Sequence, residues 1–185
     1  AQELPGVISV LTAGDIPGDQ NHGLVIPDWP SIVGVGERIR YVGDTVAIVA
    51  AESQVIAREA LDLIDVEYEE LPVVSDPVQA RQPDAPVLHP NGNLLKHIKV
   101  RKGDMEQGFK SADVVLEHTF FTPMTDHAFI EPECSIAVPL PDGRMEIYVG
   151  SQIPYADRNQ VAAALGWQEE RVRVIGQLVG GGFGG

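Results

Sequence analysis

Prolines recur between residues 71 and 93 too densely for a continuous helix or a central strand. The stretch "LPVVSDPVQARQPDAPVLHPNGN" carries five of them. Each proline lacks a backbone N–H and fixes φ, so regular secondary structure cannot run through it. The pattern predicts two folded units, residues 1–93 and 94–185, that meet near residues 72–95. The alternative is a long surface loop inside a single domain.

The first predicted unit alternates strand-like and helix-like patterns. Strands are predicted at "GVISVLT" (6–12), at "RIRYVGDTVAIVAAE" (38–52, two strands or one bent strand) and at "DVEYEEL" (65–71). Between the last two, "SQVIAREALDLI" (53–64) is predicted to be a helix with Ser53 as its N-cap. Its apolar face should pack on a sheet containing "TVAIVA", and consists of Ile56, Ala60, Leu63 and Ile64. This order indicates an α+β or α/β fold.

The second predicted unit also mixes strands and helices. Its predicted elements are a strand at 95–103, a helix at 104–112, a strand at 113–123, a hairpin over 133–151 turning at 141–143, a helix from Pro154 to Gly166, and a strand at 171–176. The last strand leads directly into the terminal glycines.

Composition excludes several classes of function. The net charge is −14, with 13 Lys and Arg against 27 Asp and Glu, so a nucleic-acid partner is not expected. No apolar run has the length of a membrane span, and no export leader is visible, so a cytoplasmic protein is expected. The single cysteine, Cys134, rules out an internal disulfide framework, and the scattered histidines predict no metal site built from side chains.

The terminal "GGGFGG" (180–185) is the first candidate for chemistry. Glycines allow positive φ and bring backbone N–H groups close to a ligand. Gly180, Gly182 and Gly185 also match G-x-G-x-x-G after a strand, which leaves a truncated dinucleotide-binding domain as one alternative. A flexible tail is the other.

Two further side chains stand out. Glu131, in "DHAFIEPE", is a candidate general acid or base, or a carboxylate that anchors a loop through hydrogen bonds. Gln152 comes just after the predicted hairpin, where a neutral amide can donate a hydrogen bond to an oxygen or sulfur ligand.

In this order the motifs resemble the molybdenum hydroxylases of the xanthine dehydrogenase and aldehyde oxidase family. "RIRYVGDTVAIVAAES" and "AREALDLIDVEYEELPVVSDPVQA" resemble its α/β hammerhead domain, and "GDMEQGFKSADVVLEHTF" the start of its molybdenum-cofactor domain. "HAFIEPECSIA" resembles its His-x-x-x-Glu-Pro stretch and "GGGFGG" its cofactor loop. The separation of Gln152 and Phe183, 183 − 152 = 31 positions, fits the family spacing.

The resemblance implies an α+β hammerhead domain at 1–93, without its first strand, and part of a mixed α/β cofactor-binding domain at 94–185. It implies a molybdenum–molybdopterin cofactor, in either the simple or the cytosine dinucleotide form. By resemblance Gln152 donates to the apical oxo ligand and Phe183 walls the substrate pocket. The implied cofactor-binding residues are Gln152, Gly181, Gly182, Phe183 and Gly184.

The family's proton-abstracting glutamate lies beyond residue 185 by resemblance, so no catalytic residue is assigned. The chain is interpreted as a middle segment of a longer enzyme that oxidises an aldehyde or N-heterocycle with water as the oxygen source. Its implied partners are the rest of the molybdenum subunit and the subunits or domains that carry FAD and [2Fe–2S] clusters. By itself the segment is expected to be inactive and to bind no cofactor. A non-catalytic binding or assembly module with the hammerhead shape is the remaining alternative.

Overall fold

The structure, a computed structural model, describes residues 1–184 and divides into two compact units. The first unit combines Ala1–Pro72 with Phe129–Gly182, and the second is Val73–Ala128 with Phe183 and Gly184. Each unit is described by itself. The mixed α/β class expected from the sequence is confirmed.

The N-terminal part of the first unit is a small antiparallel sheet with one helix. Its elements are β1 (Val7–Leu11), β2 (Asn21–His22), β3 (Trp29–Pro30), β4 (Ile48–Ala51) and α1 (Gln54–Leu61). Strand β1 pairs with β4, and β2 pairs with β3. The predicted strand at 6–12 is therefore confirmed, whereas 38–52 contributes a strand only at its end.

Helix α1 begins where the sequence predicted. The Ser53 hydroxyl accepts the N–H of Ile56 at 3.3 Å, as an N-cap should. The helix ends earlier than predicted, because the N–H groups of Leu63 and Ile64 bond three residues back and tighten the chain into a 3₁₀-like turn. Ala60 is fully buried and Ile56 is half-buried, but Leu63 is 57% exposed, so the predicted apolar face is only partly correct.

The second part of this unit is a three-stranded sheet with a crossover helix. Its elements are β5 (Ser135–Pro139), β6 (Met145–Gly150), α3 (Pro154–Leu165) and β7 (Val172–Gln177). Helix α2 (Met105–Ser111) belongs to the other unit. Strands β5 and β6 form an antiparallel hairpin, and β6 and β7 run parallel. Pro154 occupies the first turn of α3, and Gly166 ends it with φ 63°. The predicted hairpin, helix and last strand are confirmed.

An N-terminal loop covers the carboxyl end of α3. The N–H groups of Gly18 and Asp19 donate to the carbonyls of Ala164 and Ala163, each at 2.9 Å. The bond to Ala164 supplies a partner to a carbonyl in the last turn of the helix, and the bond to Ala163 adds to the one from the N–H of Gly166. A Cβ on Gly18 would lie 2.5 Å from the nitrogen of Gly166, so only glycine permits this approach. The buried apolar side chains of the unit are Ala13, Ile32, Val33, Ala60, Ala162 and Val172.

The second unit contains α2 (Met105–Ser111) and a hydrogen-bonded loop. The Asp104 carboxylate accepts the N–H of Gln107 at 2.9 Å and caps the helix, which confirms the prediction. In the proline-rich stretch, the Asn93 amide donates to the carbonyls of Ala80 and Pro86 and accepts from Leu88, at 2.8–2.9 Å. The Asn93 side chain therefore links three positions of the proline-rich stretch through hydrogen bonds.

Three predicted strands, at 65–71, 95–103 and 113–123, join no sheet among the described residues. Alternating hydrophobicity indicates that a segment can lie in a sheet, but a strand also needs a neighbour for its N–H and C=O groups. The prediction that these three segments form strands is wrong.

No helix in residues 1–184 combines the length and apolar character needed to cross a membrane.

Replacing Gly18 by alanine should destabilise the first unit. The new methyl group would push the N-terminal loop off α3 and break two backbone hydrogen bonds, at about 1–3 kcal/mol. Urea unfolding measures this loss in the free energy of unfolding. Gly14→Ala is the control, because the nearest atom to its Cβ would be 4.0 Å away. Equal urea midpoints for Gly18→Ala and Gly14→Ala would contradict the close contact of Gly18 with the end of α3.

Replacing Asn93 by alanine should open the proline-rich loop. Three hydrogen bonds would be lost, so limited proteolysis between residues 79 and 93 should accelerate about tenfold, the equivalent of about 1.4 kcal/mol in local opening. Asn91→Ala is the matched control, since Asn91 makes no side-chain hydrogen bond within the described chain. An unchanged cleavage rate in Asn93→Ala would show that the loop is held by other contacts.

Candidate functional site

The candidate site begins where β6 and β7 end. The two strands run parallel, and Gly150 of β6 is paired with Gln177 of β7. Their carboxyl ends therefore lie at the same edge of the sheet, which is the usual place for a ligand in parallel α/β sheets. Gln152 leaves this edge from β6 and the glycine loop leaves it from β7. The parallel pairing thus brings together two candidates that are far apart in sequence.

Gln152 occupies a tight turn between β6 and α3. The Ser151 hydroxyl accepts the N–H of Ile153 at 2.9 Å and donates to the carboxylate of Asp157, in the first turn of α3. These two bonds hold the backbone on both sides of residue 152. The Gln152 side chain is exposed and has no hydrogen-bond partner within residues 1–184. Its carboxamide is therefore available to a ligand.

The glycine loop is anchored at its start by Glu131. The Gly180 N–H donates to the Glu131 carboxylate. Glu131 also lies near the end of β6, since a Cβ on Gly150 would be 3.8 Å from its Oε1. Of the two roles that the sequence left open for Glu131, this contact favours the loop anchor.

The backbone of the loop is unusual from its second residue onward. Gly181 has φ 130° and Gly184 has φ 99°, values that side chains rarely tolerate. Phe183 adopts φ 52° between them, and its ring is 76% exposed. A non-glycine residue in this region is strained, and such strain is concentrated at functional sites. Gly185, the last residue of the predicted loop, lies outside the described residues.

The predicted site residues are distributed over both units. Gln152, Gly181 and Gly182 belong to the first unit, and Phe183 and Gly184 to the second. In the second unit, a Cβ on Gly184 would lie 3.9 Å from Nε2 of His127. The same histidine is followed by Ala128, whose φ is 54°.

The donor set at the edge of the first unit suits an anionic group rich in oxygen or sulfur. Backbone N–H groups and a carboxamide are neutral donors, and the amino end of α3, a 12-residue helix, lies beside Gln152 and carries partial positive charge. No three His, Cys, Asp or Glu side chains within residues 1–184 are grouped to hold a metal ion.

Sequence reasoning identified Glu131 as a possible loop anchor but not its partner Gly180, and it did not single out Ser151 or Asp157. Neither the Ser151–Asp157 pair nor the Glu131–Gly180 contact was predicted as such. A serine three positions before a helix-opening proline, with an aspartate in the first turn, was a usable local signal. The other contact joins residues 49 positions apart and left no local signal.

Comparison with known families gives two adjacent matches. Residues 1–72 match the model described as aldehyde oxidase and xanthine dehydrogenase, a/b hammerhead domain. Residues 88–185 match the molybdopterin cofactor-binding domain. Together they cover nearly the whole chain.

Two individual relatives are consistent with these family matches. The whole chain is 43% identical to a probable xanthine dehydrogenase component of Bacillus subtilis and covers 25% of it. It is 37% identical to the nicotinate dehydrogenase large molybdopterin subunit of Eubacterium barkeri and covers 43% of that protein. The chain thus spans a quarter to under half of these relatives.

A solved structure shares the fold. Aldehyde oxidoreductase from Desulfovibrio gigas superposes with a TM-score of 0.85 at 28% identity, over 99% of this chain and 21% of the other. The predicted family is confirmed: the chain belongs to the aldehyde oxidase and xanthine dehydrogenase family of molybdenum hydroxylases.

Proposed function

We propose that this chain is the hammerhead domain and the first part of the cofactor-binding domain of a molybdenum hydroxylase large subunit. The supporting observation is the parallel β6–β7 pair, whose adjacent carboxyl ends lead into Gln152 and into the glycine loop. The proposed boundaries, 1–93 and 94–185, are supported by family matches that end at 72 and resume at 88, within the proline-rich stretch.

In this proposal the cofactor-binding residues are Gln152, Gly181, Gly182, Phe183 and Gly184. When bound, the molybdenum–molybdopterin cofactor supplies oxygen transfer from water to a C–H bond and takes up the electrons released. The Gln152 amide donates a hydrogen bond, and its turn is held by Ser151. The glycine N–H groups face the same anionic ligand, and the exposed Phe183 ring offers an apolar wall to a flat substrate.

We propose an N-heterocycle, purine-like in character, as the substrate, with an aldehyde as the competing candidate. Two relatives at 43% and 37% identity are named as xanthine and nicotinate dehydrogenases. The aldehyde oxidoreductase shares less sequence, at 28%. No residue of this chain is proposed as the proton acceptor. The cytosine dinucleotide form of the cofactor remains an alternative to the simple form.

We propose that further polypeptide covers the second unit. Every described residue from 94 to 128 is exposed, including Ile98, Leu116 and Phe121 at 71–91%. Exposed apolar side chains in two segments without strand partners need a covering surface. The rest of a molybdenum subunit is the proposed cover. One cysteine cannot ligate an iron–sulfur cluster, so clusters and FAD are assigned to other domains or subunits.

The 185-residue chain purified alone should contain substoichiometric molybdenum and show no turnover. Gln152, Phe183 and Gly184 are exposed and Gly181 and Gly182 are half-buried, so each backbone hydrogen bond to a ligand would compete with water for about 0.5–1.5 kcal/mol. Metal analysis and assays with xanthine, nicotinate and an aldehyde, using a dye acceptor, measure this. The full parent subunit, coexpressed with its partners, is the control. Stoichiometric molybdenum or turnover in the isolated chain would contradict the proposed segment.

In the full enzyme, Gln152→Ala should lower kcat by about 100-fold, the usual effect of removing one preorganised donor. Molybdenum content should fall much less. Gln168→Ala is the matched control, since this exposed glutamine caps a 3₁₀ turn without a side-chain hydrogen bond. If Gln152→Ala and Gln168→Ala have the same kcat, Gln152 has no role at the cofactor.

A further inference from the structure

Glu131 lies between the ends of two parallel strands. Its Oε2 accepts the N–H of Gly180, three residues after β7, and its Oε1 is near Gly150, the last residue of β6. The carbonyl of Leu178 approaches the same position on Gly150, at 3.8 Å from an added Cβ. One carboxylate therefore lies where both site-bearing segments leave the sheet.

The first glycine of the loop is required by this carboxylate and not by its own φ. Gly180 is absent from the positive-φ residues, unlike Gly181 and Gly184. A Cβ added to Gly180 would lie 2.6 Å from the Cβ of Glu131, well inside van der Waals contact. Any larger residue would push Glu131 away. Gly180 and Glu131 thus form a matched pair, 49 positions apart in sequence.

The contact fixes the loop at a single point. A carboxylate accepting a backbone N–H makes a charge-assisted bond, stronger than a neutral one. Glycines lose more conformational freedom than any other residue on ordering, so Gly180–Gly182 gains most from an anchor at its first amide. A hydrogen bond at this amide orients the N–H groups that follow.

We propose that Glu131 is a positioning residue: its carboxylate holds the first amide of the cofactor loop, and Gly180 is glycine in order to admit it. This inference rests on the proposed function, since it assigns the loop to the cofactor. Glu131 acts through the backbone of the loop and exchanges no proton with the substrate.

Two substitutions at residue 131 separate positioning from acid–base chemistry. In the full enzyme, Glu131→Ala removes the acceptor, whereas Glu131→Gln keeps an oxygen that can accept the Gly180 N–H. We expect Glu131→Ala to lower molybdenum retention after dialysis, or kcat, by about tenfold or more, as loss of a supporting partner usually does. Glu131→Gln should stay within about threefold of the parent. Glu133→Ala and Glu133→Gln are the matched controls, two residues away and without a hydrogen bond to the loop.

A double-mutant cycle tests the pairing itself. Gly180→Ala alone should be damaging because of the clash with Glu131. In a Glu131→Gly background both the carboxylate and the Cβ at residue 131 are gone, so adding Gly180→Ala should change little, and the two effects should be clearly non-additive. Gly108→Ala is the control for alanine in place of glycine, because a Cβ there would meet nothing within 4 Å.

Hydrogen exchange of the Gly180 amide in cofactor-free protein gives a readout that does not depend on activity. Exchange should accelerate about tenfold in Glu131→Ala and stay near the parent rate in Glu131→Gln. Unchanged exchange in Glu131→Ala, or additive effects in the cycle, would overturn the anchor. Equal loss of kcat in the alanine and glutamine variants, with normal exchange in the latter, would assign Glu131 to proton transfer instead. If the parent enzyme contained no molybdenum, the proposed function would be wrong. The exchange rate of the Gly180 amide would still show whether Glu131 anchors the loop.

Discussion

The parallel pairing of β6 with β7 is the constraint on which the candidate site depends. Parallel neighbours need a crossover connection, and α3 supplies it between Pro154 and Gly166. The carboxyl ends of the two strands then lie together, so the turn at Gln152 and the loop at Gly180 share one edge of the sheet. An antiparallel arrangement would place them at opposite edges. Strand direction alone therefore brings these two candidate segments to the same edge of the sheet.

Glycine is required in this chain for two different physical reasons. Gly166 and Gly184 have positive φ, a region that other residues occupy only with strain. Gly18 and Gly180 lack positive φ but lie so close to a helix end or a carboxylate that a Cβ would overlap existing atoms. The first kind can be predicted from local turn and cap patterns. The second depends on a distant segment.

In the second unit, strand-like alternation of apolar residues occurs without strand pairing. Residues 95–103 and 113–123 alternate as strands do, yet neither has a strand partner within the described chain. Their exposed apolar side chains are consistent with membership in a larger fold, as are relatives two to four times as long. The alternation thus identifies a segment that can form a strand but does not identify the strand with which it would pair.

Local chemistry allowed the sequence to determine α2 through its Asp104 cap, α3 through Pro154 and Gly166, and the hairpin turning at 141–143. Motif order and spacing were enough to identify the family. Only tertiary structure decided that Glu131 anchors Gly180 and that Gly18 covers α3. It also decided which of the strand-like segments pair with another strand. Caps and turns depend on neighbours within a few residues, whereas these contacts form between distant segments whose approach depends on the packing of the whole unit.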